Sequence, residues 1–134
     1  MDWKLEVIVI PVSDVDRAKE FYAERCGFVV DVDHQANENT RIVQMTPPGS
    51  GCSIAVGTGI VKGEPGTVKG LQLVVSDIEK ARAQLVERGV DASPVRHVGE
   101  DGQWSDGHGG DWNAFVFFDD PDGNSWAVQE RPAG

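Results

Sequence analysis

The sequence predicts an α+β fold built from two copies of a βαβββ module, on three observations. Val12-Ser13-Asp14-Val15-Asp16-Arg17-Ala18 is matched position by position by Val75-Ser76-Asp77-Ile78-Glu79-Lys80-Ala81. Both copies close on an acidic-basic pair, Glu24-Arg25 and Glu87-Arg88, before a glycine. The segment Asp119-Asp120-Pro121-Asp122-Gly123-Asn124-Ser125-Trp126 has the turn chemistry of a β-hairpin between apolar flanks, and Thr46-Pro47-Pro48-Gly49 is its shorter echo in the first half. Self-similarity at this spacing marks an internal repeat, placed at 3–60 and 67–131 of one domain spanning 1–134.

In the first copy, Leu5 to Val12 has the branched aliphatic content of a strand with at least one buried face. Ser13-Asp14 supplies an N-cap and Asp16 an acidic first turn. Val15, Ala18, Phe21 and Tyr22 recur at helical spacing, and Gly27 ends the helix. Strands are expected at Phe28–Val32, Arg41–Met45 and Cys52–Val56, with a polar loop from His34 to Thr40. The glycine-rich stretch 57–66 is a linker.

The second copy restarts with a strand at Leu71–Val75, a cap at Ser76-Asp77 and a stripe of Ile78, Ala81, Leu85 and Val86 that stops at Gly89. Strands are expected near Pro94-Val95-Arg96 and from Ala114. Between them lies an insert, His97 to Asn113, with five glycines and Trp104, His108 and Trp112; this composition predicts a lid loop. Trp126 is assigned to the core, and Asp120 and Asp122 to the turn itself rather than to acid/base chemistry.

The 134 residues can bury roughly two thirds of their unfolded surface. Hydrophobic residues make up 40% of the chain, which excludes disorder. No apolar run reaches membrane-spanning length and no signal peptide is evident at Met1-Asp2-Trp3-Lys4, so a cytoplasmic protein is expected. Cys26 and Cys52 have no metal-ligand spacing and are expected as reduced thiols. The net charge of −10 argues against nucleic acid or an anionic membrane as partner. Phosphate-binding loops, nucleophile elbows and dinucleotide fingerprints are absent from the sequence.

Over nearly its whole length the chain resembles the vicinal oxygen chelate superfamily of glyoxalases, bleomycin-resistance proteins and extradiol dioxygenases. The resemblance is carried by Val12 to Ala18 with Phe21-Tyr22 and Gly27-Phe28, and by Asp120-Pro121-Asp122-Gly123-Asn124-Ser125-Trp126. It implies paired modules whose strands curl into a half-open barrel around a ligand pocket. In metal-dependent members four inward side chains bind one divalent cation. By motif position these fall here at Val7, Gly70, Ala127 and near Ser53, which are not a cation's ligands. No metal and no cofactor is therefore expected.

Strand alternation places Val7, Val9, Gly70, Gln72, Val74, Ala127 and Gln129 on the pocket side and turns Glu6 away. The expected ligand-binding set is Val7, Val9, Gln44, Ser53, Gly70, Gln72, Trp104, His108, Trp112, Ala127 and Gln129. In it the glutamines orient polar groups and the indoles stack on a ring. His34 and His97 are expected as solvated loop histidines. The function that follows is metal-free binding of a small organic molecule, with sequestration of an antibiotic as one form of it. The alternative is a glyoxalase-like lyase or isomerase, or a dioxygenase. No catalytic set is expected beyond the one candidate acid or base, His108. Open sheet edges predict a homodimer.

Overall fold

The computed structural model describes residues 1–133. They divide into two compact units: Met1–Val68 with Asp120–Asn124, and Lys69–Asp119 with the segment from Ser125.

The first unit contains β1 (Val7–Val9), α1 (Val15–Glu20), a π-helical turn (Phe21–Arg25), β2 (Val29–Asn37), β3 (Thr40–Thr46) and β4 (Ser53–Thr58). Its sheet has the order β1-β4-β3-β2, with β1 parallel to β4 and the other pairs antiparallel. Asp14 caps α1, its carboxylate accepting from Arg17 N–H at 3.0 Å. The expected continuous helix instead widens after Glu20 into the π-turn, closed by Cys26 N–H on the Phe21 carbonyl at 3.0 Å. The extra residue in the turn lets the adjacent rings of Phe21 and Tyr22 both be buried. Gly27, at φ +79, then turns the chain out of the helix.

The strand after it runs farther than the sequence indicates. His34 and Gln35 belong to β2, and only Glu38-Asn39 turn before β3. All nine β2 residues are exposed, so no apolar alternation marks the strand. Its ladder to β3 and the pairing of Asp33 with Arg41 hold it instead. The core is formed by Ile10, Ala18, Tyr22, Phe28, Val43, Met45, Ile54 and Val56, all buried between α1, the π-turn and one face of the sheet.

The turn Asp120–Asn124 belongs to this unit by its contacts. Asp122 accepts from Ser13 N–H and Oγ and from Arg17, and Asn124 spans from the Pro11 carbonyl to Val68 N–H. The turn carboxylates are thus structural, as their sequence setting indicates.

The second unit contains β5 (Leu71–Val75), α2 (Ile78–Glu87), β6 (Arg96–Val98), β7 (Trp104–Asp106), β8 (Phe115–Asp119) and β9 (Ser125–Glu130). The sheet order is β5-β9-β8-β6-β7. β5 runs parallel to β9, as β1 does to β4. Asp77 caps α2 through Lys80 N–H, and Glu130 reaches in from β9 to accept from Ile78 N–H at 2.9 Å. α2 packs on β8 and β9 through Ile78, with Ala81 and Leu85 half-buried. Val86, expected in the buried stripe, is exposed. The expected lid is largely a hairpin: β6 and β7 pair through Arg96–Asp106, His97–Ser105 and Val98–Trp104. His97 is accordingly a strand residue, with its Nδ1 2.9 Å from the Gly107 carbonyl. Cys26 and Cys52 form no disulfide, and both are half-buried.

Candidate functional site

Each sheet packs its helix against one face and leaves the other without a helix. The period-two alternation of strands decides which side chains reach that open face. In the second unit Val116, Phe118, Trp126 and Val128 are buried beneath α2, so Phe115, Phe117, Ala127 and Gln129 point the other way. Gln72 and Val74 join them from β5, opposite Ala127 and Gln129.

Trp104 of β7 reaches over this face. Its ring lies edge-on to Phe115 at 5.4 Å and to Phe117 at 5.3 Å, while the two phenyl rings stack 6.1 Å apart. Edge-to-face contact with a stacked pair is the arrangement favoured by ring quadrupoles, and it leaves Trp104 42% exposed beside half-buried phenyl rings. The aromatic surface is therefore built into the sheet rather than carried on a mobile lid.

Beside the rings runs a chain of amides. Gln129 Nε2 donates to the Trp112 carbonyl at 2.7 Å, and Gln72 Nε2 donates to Gln129 Oε1 at 2.6 Å. A carbonyl can only accept, so the Trp112 oxygen fixes the orientation of Gln129, and Gln129 fixes that of Gln72. Gln72 is left with its Oε1 as an exposed acceptor on the open face. Trp112 itself holds φ +61, a conformation rare for a bulky residue. Its indole is exposed, and its backbone oxygen is its link to this face.

The open face of the first unit is formed by Val7 and Val9, which pair with Ser53 and Ala55, and by Ile42, Gln44 and Thr46 of β3. Thr46 Oγ1 lies 2.6 Å from Ser53 Oγ and donates to Asp31 Oδ2. Val32 and His34 flank it from β2, opposite Gln44 and Ile42.

Residues 4–128 match the Glyoxalase/Bleomycin resistance protein/Dioxygenase superfamily. The chain belongs to this superfamily. Among solved structures it is similar to TnmS3, an antibiotic binding protein from Streptomyces sp. CB03234: 29% identity, 98% of each chain covered, TM-score 0.76. It is also similar to a superfamily member from Sphaerobacter thermophilus DSM 20745, at 30% identity over 97% of this chain and 98% of that one, TM-score 0.75. The protein YetH of Bacillus subtilis (strain 168) is 23% identical over 128 residues, 95% of this chain and 98% of YetH.

Superfamily membership raises the question of a chelated metal, and the register refines the four positions. Val9 pairs with Ala55 as Gln72 pairs with Ala127, so Ala55, rather than Ser53, is the counterpart of Ala127. Ser53 corresponds instead to Ser125. The four positions are then Val7, Ala55, Gly70 and Ala127, none with a side chain that ligates a cation. The described residues hold no group of three or more His, Cys, Asp or Glu able to bind a metal. The residues present do not fit the superfamily's metal.

Gly70 precedes β5 at φ +85, with nothing within 4 Å of where a Cβ would stand. Two other expectations change. His108 Nδ1 lies 3.7 Å from Glu130 Oε1, and Glu130 alternates with Gln129 onto the α2 side of β9. The imidazole is therefore directed away from the aromatic face. His34 leaves its expected loop for the open face of the first sheet. Phe115 and Phe117 on the open face of the second sheet, and Asp31 and Thr46 on that of the first, are residues that the sequence reading passes over. Phe115 and Phe117 had a signal, since alternate residues of one strand must share a face. Asp31 and Thr46 had none, because their meeting depends on the register in which β2 pairs with β3.

Proposed function

We propose that this protein binds a planar aromatic small molecule and holds it without transforming it, with antibiotic sequestration the form supported by its relatedness to TnmS3. The observation that carries this reading is the ring surface of Trp104, Phe115 and Phe117, beside the oriented acceptor of Gln72. Apolar wall with few fixed polar groups is the make-up of small-molecule sites. Stacking supplies the area, and Gln72 Oε1 chooses ligands with a donor at the ring edge. The lyase, isomerase or dioxygenase alternative draws no support from His108, which faces Glu130.

Binding is proposed to need no metal or cofactor, and the working form is proposed to be a homodimer. Support for the dimer is the fully exposed edge strand β2, which carries Val29 and Val32. The test is a thermal-shift panel of polycyclic aromatic antibiotics on protein dialysed against a chelator, followed by mass spectrometry of the recovered compound. A bound ligand raises Tm by mass action, by about 2.7 kcal/mol of stability at a hundred times Kd. An unchanged mass supports sequestration, whereas a converted product supports the enzyme. Sedimentation velocity decides between dimer and monomer.

A further inference from the structure

We propose that Asp31, Thr46 and Ser53 form a subsite on the open face of the first sheet that selects ligands bearing a cationic nitrogen donor. The first observation is an irregularity in the β2–β3 ladder. Val30 pairs with Met45 and Val32 with Gln44, so Asp31 is the extra residue of a β-bulge. Met45 is buried on the helix side and Gln44 faces the open side, so the bulge reverses the alternation at this point. Asp31 keeps the open-face direction of Val29, which lies opposite Thr46, and the bulge turns Val32 onto that face beside it. There the Asp31 carboxylate meets the Thr46 hydroxyl.

The second observation is the direction of the hydrogen bonds. Thr46 has one hydroxyl proton, and it goes to Asp31 Oδ2. The bond between Thr46 and Ser53, 2.6 Å long, must then be donated by Ser53. Ser53 is left with lone pairs only, on a side chain that is 7% exposed between Val7 and Thr46. The carboxylate polarises both hydroxyls in the same sense, which makes Ser53 Oγ a stronger acceptor. Every free position of the chain accepts, and none donates.

The third observation is charge. Asp31 forms no ion pair among the described residues. The nearby cations are engaged on the opposite, helix-side face, where Lys19 and Arg41 pair with Asp33 and Asp16. If the three residues served only to tie β2, β3 and β4 together, a pair of hydroxyls on a regular ladder would do so. An uncompensated carboxylate behind two polarised hydroxyls is what an ammonium or a protonated ring nitrogen requires.

The subsite lies wholly within the first unit, so its test does not depend on the aromatic reading above. Calorimetric titrations use 9-aminoacridine, a cation at neutral pH, and acridine-9-carboxylate, its anionic counterpart. Wild type is expected to prefer the cation by about tenfold or more, the scale of one charge-assisted hydrogen bond. Asp31→Asn and Ser53→Ala should each remove most of that preference. Asp33→Asn changes net charge equally but on the helix side, and should leave it intact. A preference that survives in Asp31→Asn, or falls as far in Asp33→Asn, overturns the subsite. Binding of neither acridine overturns it as well.

Discussion

The Asp120 carboxylate accepts four hydrogen bonds from described residues in the interior of the first unit: from the Tyr22 hydroxyl, the Asn124 amide, and the backbone N–H groups of Asp122 and Asn124. Asp120 is 5% exposed, so each lost donor leaves acceptor capacity that water cannot replace. Tyr22→Phe keeps the ring contacts with Phe21 and Phe28 and removes only the hydroxyl. It is expected to cost about 1–2 kcal/mol in urea denaturation with an unchanged m-value. Asp33 lies nearer the surface, where hydrogen bonds from Arg41 and then Lys19 hold its carboxyl well below the usual carboxylate range. A carboxyl whose folded pKa is depressed adds stability above its unfolded pKa and loses it as pH falls through the folded value. Asp33→Asn should therefore cost about 0.5–1 kcal/mol at neutral pH, discounted for exposure. The difference from wild type should begin to shrink only below about pH 4. Denaturation curves at several pH values check this, and a gap that widens with acid would contradict it. The role of Asp120 was legible from Pro121 and Gly123 around it. The Asp33–Arg41 pair was not, because it exists only once β2 is known to continue past Val32.

Elements whose ends are written in local chemistry matched their sequence reading. Asp14 and Asp77 cap their helices, Gly27 and Gly89 end them at positive φ, and Asp120–Asn124 turns the β8–β9 hairpin. Elements set by long-range pairing did not. β2 is a strand of polar residues held by its neighbour, β7 is a short strand within a glycine-rich stretch, and the π-turn follows from burying two adjacent rings. The linker before β5 shows the same dependence on distant contacts. Gly66 sits at φ +83, and a Cβ there would come 2.1 Å from the Asp122 carbonyl oxygen. Composition marks this glycine as flexible, whereas its surroundings demand the absence of a side chain. Gly66→Ala is expected to destabilise by about 2–4 kcal/mol, combining left-handed strain with a backbone clash. The open position Gly102 offers the comparison: it has φ +80 and nothing within 4 Å of its Cβ, so Gly102→Ala should cost only the strain, about 1 kcal/mol.

At the scale of the molecule, the fold class was legible because the sequence states it twice, and the two sheets share a strand order over their first four members. The open face of each sheet was legible only in part. Alternation places Val7 and Val9 on that of the first sheet and Gln72, Ala127 and Gln129 on that of the second, as the ladders do, while tertiary contacts set the surroundings of Trp104, His108 and Asp31. Net charge, −10 over 134 residues, acts on any ligand at longer range than these contacts do. An acidic surface attracts a cationic probe before contact, and salt screens that attraction over a Debye length of about 20 Å at 0.02 M and about 4 Å at 0.5 M. A buried acceptor such as Ser53 acts only after docking and governs release. Stopped-flow binding of 9-aminoacridine should therefore show an association rate that falls about threefold to tenfold across this salt range, with parallel slopes in wild type and Asp31→Asn. The dissociation rate should rise about tenfold in Asp31→Asn and change little with salt. If the substitution instead flattens the salt dependence and leaves dissociation unchanged, Asp31 contributes to the general field alone, and cation selection belongs to the acidic surface as a whole.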